Sequence, residues 1–542
     1  MNTHTHIPAL LVALLLCLPR IGQGQFQGPD QLGQVDFANS CSAAVQGRLQ
    51  RGVAMLHSFW LSESEKTFRA VLAQEPACAI ATWGIAAALM ANPFAGHGPS
   101  PQEAQRAQAA IAEGYGIGAQ TQRERDYLAA VAVYYQAWET RLEPARQQSR
   151  AQAFAALAAR YPADDEAQIF SALYLAATQS RADQTYAASL QAAAILERQF
   201  ARHPNHPGVA HYLIHCYDAP PRAAQGLPAA RRYVAIAPGV PHALHMPSHI
   251  FIRVGAWAEA ATTNARSAVA AKHANEPNDQ LHAMDYLVYA YLQLARDANA
   301  RRIVEEAARV PDASPGRFIF PYTIAAIPVR YAIERGDWRQ AMMLTPPGSQ
   351  VLFAEALTYF ARALGAARSG APEAATRAVH QIEGLRDEIK RAHNDDWIAE
   401  AEVTYLSAAA WATWAQGQPE EALRLMRRAA DLEDERQFMT PGRLVPAREL
   451  LGELLLELQR PAEALTAFEA SQKRAPERFR GLYGAAQAAA QSGDLAQAKR
   501  YFVRLVEMAG QGDGRPELAQ ARAFLAAHPC FKEPAMRHFP VR

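Results

Sequence analysis

The feature that most constrains this chain is a recurrence at 34 residues. Ala464, Phe468 and Pro476 form one set, and Ala498 and Phe502 repeat its first two members 34 positions later. Such a pattern fits two antiparallel helices. The small Ala lets them approach, the aromatic ring fills the wedge between them, and the proline stops the second helix. Five residues before each Ala stands a turn marker, Gln459 in the first of these units and Gly493 in the next. The marker recurs upstream at Gly417, Gly370, Gly336, Ala295 and Gly255, with spacings of 34 or, where loops intervene, 40 to 47. Pro238 is placed like Pro476 and puts a further turn at Pro221, while Phe68 and Pro76 mark an N-terminal unit turning near Phe59 and Trp60. About eight or nine hairpins result, and each must stack on its neighbours to bury an apolar face.

On these residues the chain resembles the tetratricopeptide-repeat (TPR) superfamily. Within it the chain resembles exported bacterial proteins that carry the segments HYLIH and HMPSHIF, here residues 211–215 and 245–251. The resemblance covers most of the chain but is poor over 94–200, which reads only as helical. It implies an all-α, right-handed α-solenoid whose first helices line a concave groove able to take a protein or peptide. Such a fold names a scaffold and not a reaction. The expected organisation is a signal peptide at 1–24, irregular TPR-like hairpins at 25–200 and His-rich hairpins at 201–310. TPR repeats then occupy 311–515, with a helix and tail at 516–542.

Composition agrees with a large helical core. Half of the 542 residues are apolar, which excludes general disorder, and no window shows the β-branched alternation of strands. Lys plus Arg number 54 against 53 Asp plus Glu, so no polyanion, and hence no nucleic acid, is expected as a partner. Residues 7–18 are an apolar run too short to span a bilayer, followed by Gly22-Gln23-Gly24, a small-x-small site for cleavage before Gln25. The n-region lacks Lys and Arg, and leucines precede Cys17 where a lipoprotein needs a small residue. A periplasmic or secreted protein without a transmembrane span in its mature chain follows. Of the remaining cysteines, Cys41 and Cys78 are candidates for a disulfide, and small buried thiols are the alternative reading for all four.

The histidines are gathered. Nine of the 17 lie between His203 and His282. His211 and His215 stand ten and six before Pro221; His245 and His249 stand ten and six before Gly255; His242 and His282 both fall thirteen before their markers. Residues at those offsets share one face of a first helix. His211, His215, His242, His245, His249 and His282 should therefore converge, together with Asp285, which fills the ten-before slot of the next unit. Imidazoles four apart on a helix clamp a metal, and an imidazole-rich set suits Zn, Cu, Fe or Ni over Mg or Ca. Division three and three is compatible with a dinuclear copper or zinc centre. The competing reading is that these rings bind peptide carbonyls or carboxylates, or pack between helices.

His57 lies two before its own turn and reaches the patch only if the superhelix curls round. Tyr289 and Tyr286 are candidates for the groove edge, although aromatic stripes at such spacing are more often core. Arg330, in the slot that matches His249, would pair a ligand carboxylate or form a structural ion pair. Asp218 and Asp285 are candidates for acid–base work, with a helix-end or ion-pair carboxylate as the alternative, above all for Asp218 before Ala219-Pro220-Pro221; His203, His206 and His273 read as surface loop residues, and Cys216 as a packed thiol. The segments HYLIH and HMPSH lack the Glu of HExxH zinc peptidases, and Gly114-Tyr115-Gly116-Ile117-Gly118 follows no strand, so no nucleotide cofactor is expected. The polar insertion 433–446 is a candidate to overhang the groove, while its Thr440-Pro441-Gly442 reads more simply as a turn before the next helix. Two functions remain: an exported scaffold whose groove binds a protein or peptide and a transition metal, or a metal-dependent oxidoreductase or hydrolase using the same histidines.

Overall fold

The computed structural model describes residues 31–95, 98–312, 319–392, 395–436 and 443–529. The expected signal peptide, with Cys17, lies outside them, as do Cys530, residues 437–442 of the polar insertion and the end of the C-terminal tail. The described residues form 26 α-helices and no strand. None of these helices is long and apolar enough to cross a membrane.

The turn markers are where the helices end. Gly255, Ala295, Gly336, Gly370, Gly417, Gln459 and Gly493 all have positive φ, from 52° at Ala295 to 84° at Gly493, and Phe59 joins them at 53°. At each, the following residue donates its N–H to the carbonyl five positions back, as in Ala256 to Phe251 (2.8 Å), Arg296 to Tyr291 (2.8 Å) and Trp60 to Met55 (3.0 Å). A left-handed residue that closes a first helix in this way also reverses the chain for the second. Pro221 cannot adopt that conformation, and there a short 3-10 segment, Ala223–Gly226, leads into the helix Leu227–Ile236 instead.

Between the helices the wedge is the expected aromatic. Phe468 is fully buried, and a Cβ at Gly452 or Gly484 would lie only 2.8 or 2.2 Å from its ring. Phe68 sits in the same way between Gly52 and Gly84, at 3.0 and 2.5 Å, so the first hairpin and a late one share one packing device. Consecutive helices pack against one another along the chain, giving an all-α solenoid of helical hairpins. Residues 94–200 build their helices with other signals, such as the capping boxes Ser100 with Glu103 and Thr121 with Glu124.

Three features position the site. A disulfide joins Cys41 to Cys78 and ties the segment before the first helix to the end of the first hairpin. Pro247 divides its first helix into Pro241–His245 and Pro247–Arg253, whereas Pro328 is carried within the continuous helix Ile319–Glu334. Finally, the C-terminal hairpins return to the His-rich turns: Trp257 Nε1 donates to Glu477 O at 2.6 Å, and Asp513 N to Ala295 O at 2.8 Å. The N-terminal hairpin also reaches the His-rich helices, His57 O accepting from His211 Nδ1 at 2.7 Å.

Candidate metal centre

Three successive first helices supply the histidines. Pro207–Tyr217 carries His211 and His215, the split helix carries His242, His245 and His249, and Pro277–Gln293 carries His282. They divide into two triads, His211 with His215 and His242, and His245 with His249 and His282. Within each triad one nitrogen per ring lies within 4.8 Å of the other two. The triads adjoin: ring centroids of His215 and His249 are 6.3 Å apart, those of His242 and His245 6.1 Å.

Hydrogen bonds to the outer nitrogens fix what the inner ones present. His211 Nδ1 lies 2.7 Å from the carbonyl oxygen of His57, which can only accept, so Nδ1 carries the proton and Nε2 a lone pair. His245 Nδ1 donates in the same way to Asn264 Oδ1 (2.8 Å), and His249 Nδ1 to Asp218 Oδ2 (2.9 Å). Asn264 is oriented by its own amide group, which donates to Ala260 O at 2.8 Å. Inside, His245 Nε2 and His249 Nε2 lie 3.0 Å apart, and His211 Nε2 and His215 Nε2 3.1 Å apart. His242 Nε2 is buried with no hydrogen-bond partner among the described residues. Burial, reinforced by the neighbouring imidazoles, pushes His211, His215, His242 and His245 well below the usual histidine value and His282 down to about 3. These five rings are neutral near pH 7, the protonation state in which imidazole binds metals.

The donor set fits a transition metal. Cis ligands on one ion place their nitrogens about 3 Å apart at metal–nitrogen distances of about 2.0–2.1 Å. Acceptors on the outer N–H groups are the usual support of ligating imidazoles. Burial raises the Asp218 carboxyl, but Arg253 and His249 pull it well below the ordinary carboxylate range, so it stays an anion. Its Oδ1 accepts from Arg253 Nε at 2.9 Å. Asp218 thus ends the helix and serves the site at once.

A cleft of about 1020 Å³ opens onto the triads. His215, His242, His249 and His282 line it, together with Phe94, Phe353, Trp397 and Arg443. His211 and His245 lie deeper and do not line it. The described part of the polar insertion also reaches the cleft, through Arg436, Arg443, Leu444 and Val445.

Other sequence candidates go elsewhere. Asp285 is not in either triad: it is fully buried, and its Oδ1 accepts from Arg330 Nε at 2.8 Å. Arg330 is therefore spent on a structural ion pair and does not face a ligand. Tyr289 is buried beneath Arg478, whose Nη1 donates to its hydroxyl at 2.5 Å, and Arg330 lies over its ring at 4.8 Å. His206, expected on the surface, is buried at the start of its helix. It and His57 converge on Glu166, at 3.0 and 2.8 Å.

That third group, His57 with Glu166 and His206, has ligand-type composition, but its hydrogen bonds are complete. Val209 N donates to His206 Nδ1, and Tyr212 Oη to His57 Nδ1 at 2.9 Å, so both Nε2–H groups donate to the carboxylate. Burial raises the Glu166 carboxyl, and His206 and His57 overcome this and hold it well below the usual range. The group is a buttress that fixes His57, whose carbonyl in turn fixes His211. Sequence reasoning missed Glu166 and Asn264 as parts of this assembly and placed Tyr286 only at the groove edge. Only Tyr286 carried a signal, its place one turn after His282.

No family model matches the chain, and no curated protein matches it. Among 156 solved chains that resemble it is the human IFIT1 dimer with m7Gppp-AAAA. That structure shares 10% identity and a TM-score of 0.38, over 80% of this chain and 90% of the other.

Proposed function

We propose that this chain is a metal-dependent enzyme built on a helical-repeat scaffold. His211, His215 and His242 hold one transition-metal ion, and His245, His249 and His282 hold a second. One observation carries this reading. His245 Nε2 and His249 Nε2 lie 3.0 Å apart while both outer nitrogens donate to acceptors, so two lone pairs converge in a buried place. A cation would accept both lone pairs at once, whereas the Tyr286 hydroxyl is placed to meet only that of His249, and burial opposes a proton on His245.

Three imidazoles per ion leave coordination positions open, as catalytic sites do and four-ligand structural sites do not. Four of the six rings border the cleft, so those positions are within reach of what enters it. The all-imidazole set favours copper or zinc, with iron and nickel next. Such ions supply Lewis acidity or an activated water, and copper or iron adds redox chemistry. The scaffold supplies the cleft, whose volume stands at the upper end for small-molecule pockets and admits an aromatic compound or a peptide side chain. The Cys41–Cys78 bridge supports export to an oxidising compartment.

Metal analysis of tag-free protein from metal-replete growth tests the reading. The expected result is two ions per chain, with His211→Ala and His249→Ala each losing one while helicity is kept. Substoichiometric zinc, copper, iron and nickel in the unaltered chain refutes it.

A further inference from the structure

We infer that Tyr286 supplies an oxygen ligand to the ion of the second triad, which makes the two metal positions chemically unequal. The inference rests on the two-ion reading above and adds a ligand to it. Tyr286 follows His282 by four residues on the helix Pro277–Gln293, so both side chains leave one face. Its hydroxyl oxygen lies 3.1 Å from His249 Nε2, nearly the separation between His249 Nε2 and His245 Nε2. That separation is one that neighbouring ligands of a single ion show.

All three rings of the triad surround the phenol. Its ring stands edge-on to His245 at 4.5 Å and to His282 at 5.2 Å, and stacks on His249 at 5.1 Å. Tyr286 is fully buried and does not line the cleft. With His249 neutral and its Nδ1–H donating to Asp218, the phenol donates to His249 Nε2, the lone pair that an ion needs. When the ion takes that lone pair, the O–H loses this acceptor. Ligation by the oxygen then exchanges the proton for the metal: the O–H bond breaks, an oxygen–metal bond forms, and the proton leaves to buffer with no change in oxidation state.

The phenol beside the first triad is placed differently: Tyr233 stacks on His211 at 5.4 Å, and its buried hydroxyl makes no hydrogen bond to a triad nitrogen among the described residues. Phe59 lies edge-on to His211 at 4.5 Å and stacks on His242 at 5.6 Å, and Phe94 stacks on His215 at 3.8 Å. These rings carry no donor atom. The hydroxyl of the nearby Tyr212 is engaged with His57. The first ion keeps three imidazoles and its open positions toward the cleft, while the second gains a phenolate.

The test is a Cu(II) titration of the full chain after chelator treatment, with bound copper, visible absorption and resonance Raman measured together. Two coppers per chain should appear with one phenolate-to-copper charge-transfer band and its ring modes. Tyr286→Phe should lose the band while keeping the first copper, and Tyr289→Phe should keep both. Two coppers without the band in the unaltered chain, or a band that persists in Tyr286→Phe, overturns the inference. Fewer than two coppers in the unaltered chain defeats the underlying two-ion reading, and the copper count reports this independently of the band. Zn(II) gives a check that needs no variant, since phenolate formation has an ultraviolet difference spectrum, and its absence at two bound zincs also overturns the inference.

Discussion

Replacing Asn264 by Leu tests whether the second triad is a metal site whose outer hydrogen bonds set its nitrogen chemistry. Asn264 is fully buried and accepts from His245 Nδ1 at 2.8 Å. Leu keeps the approximate volume but offers no acceptor. A buried donor left unpaired costs about 1–3 kcal/mol. His245 has an escape, however, because moving its proton to Nε2 lets it donate to His249 Nε2 at 3.0 Å, in competition with the Tyr286 hydroxyl. The stability loss should therefore stay near the lower end, about 1 kcal/mol. That escape occupies the nitrogen an ion requires.

Loss of such an outer partner typically weakens metal binding about 10–100-fold, or about 1.4–2.7 kcal/mol. Competition against a Zn(II) chelator dye should resolve two sites in the unaltered chain. In Asn264→Leu one site should weaken by that factor while the other is unchanged, since His211 is held separately by the His57 carbonyl. Equal weakening of both sites, or none, refutes the reasoning.

Three further outcomes are expected. Asp285→Asn breaks the buried pair with Arg330 and should cost about 3–5 kcal/mol in denaturant unfolding, with metal content unchanged; loss of an ion would make Asp285 a ligand after all. The Glu166 carboxyl is held below its ordinary value of 4.5, so its stabilisation is complete above that pH and is lost as acidification proceeds toward the depressed value. The stability gap between the unaltered chain and Glu166→Gln should accordingly be constant near neutrality and shrink below about pH 4.5, and a gap that persists on acidification contradicts this. Gly484→Ala drives a Cβ to 2.2 Å from the Phe468 ring and should destabilise by about 1–3 kcal/mol while leaving metal binding intact; a neutral result by thermal unfolding counts against the wedge.

The hairpins were legible because their closure is local chemistry: a residue that tolerates positive φ, then Ala, then an aromatic, recurs at a readable interval. The histidine patch was legible for the same reason, since a fixed offset from the turn fixes the helix face. Offsets do not reveal which neighbour captures a side chain first. Asp285 occupies an in-register slot, yet Arg330 lies within reach on the next first helix and neutralises it. Pro221 carried the right interval but not the conformational freedom, so its turn is built differently. The partners of the imidazoles come from places with no period to follow. Asn264 lies on the second helix of its hairpin and Glu166 in the irregular stretch 94–200, and hydrogen-bond complementarity between such distant positions leaves no spacing signal.

The five-residue helix Pro241–His245 gives His242 to one triad and His245 to the other. A repeat array ordinarily frays one hairpin at a time, because each contacts only its neighbours. Here a filled pair of sites would rivet three successive first helices together, and the middle one could not detach without releasing both ions. The array would then cease to be a row of equivalent links and acquire a keystone. Amide exchange should show that stretch opening as one block on metal loading, while hairpins farther along the chain keep their independent lifetimes.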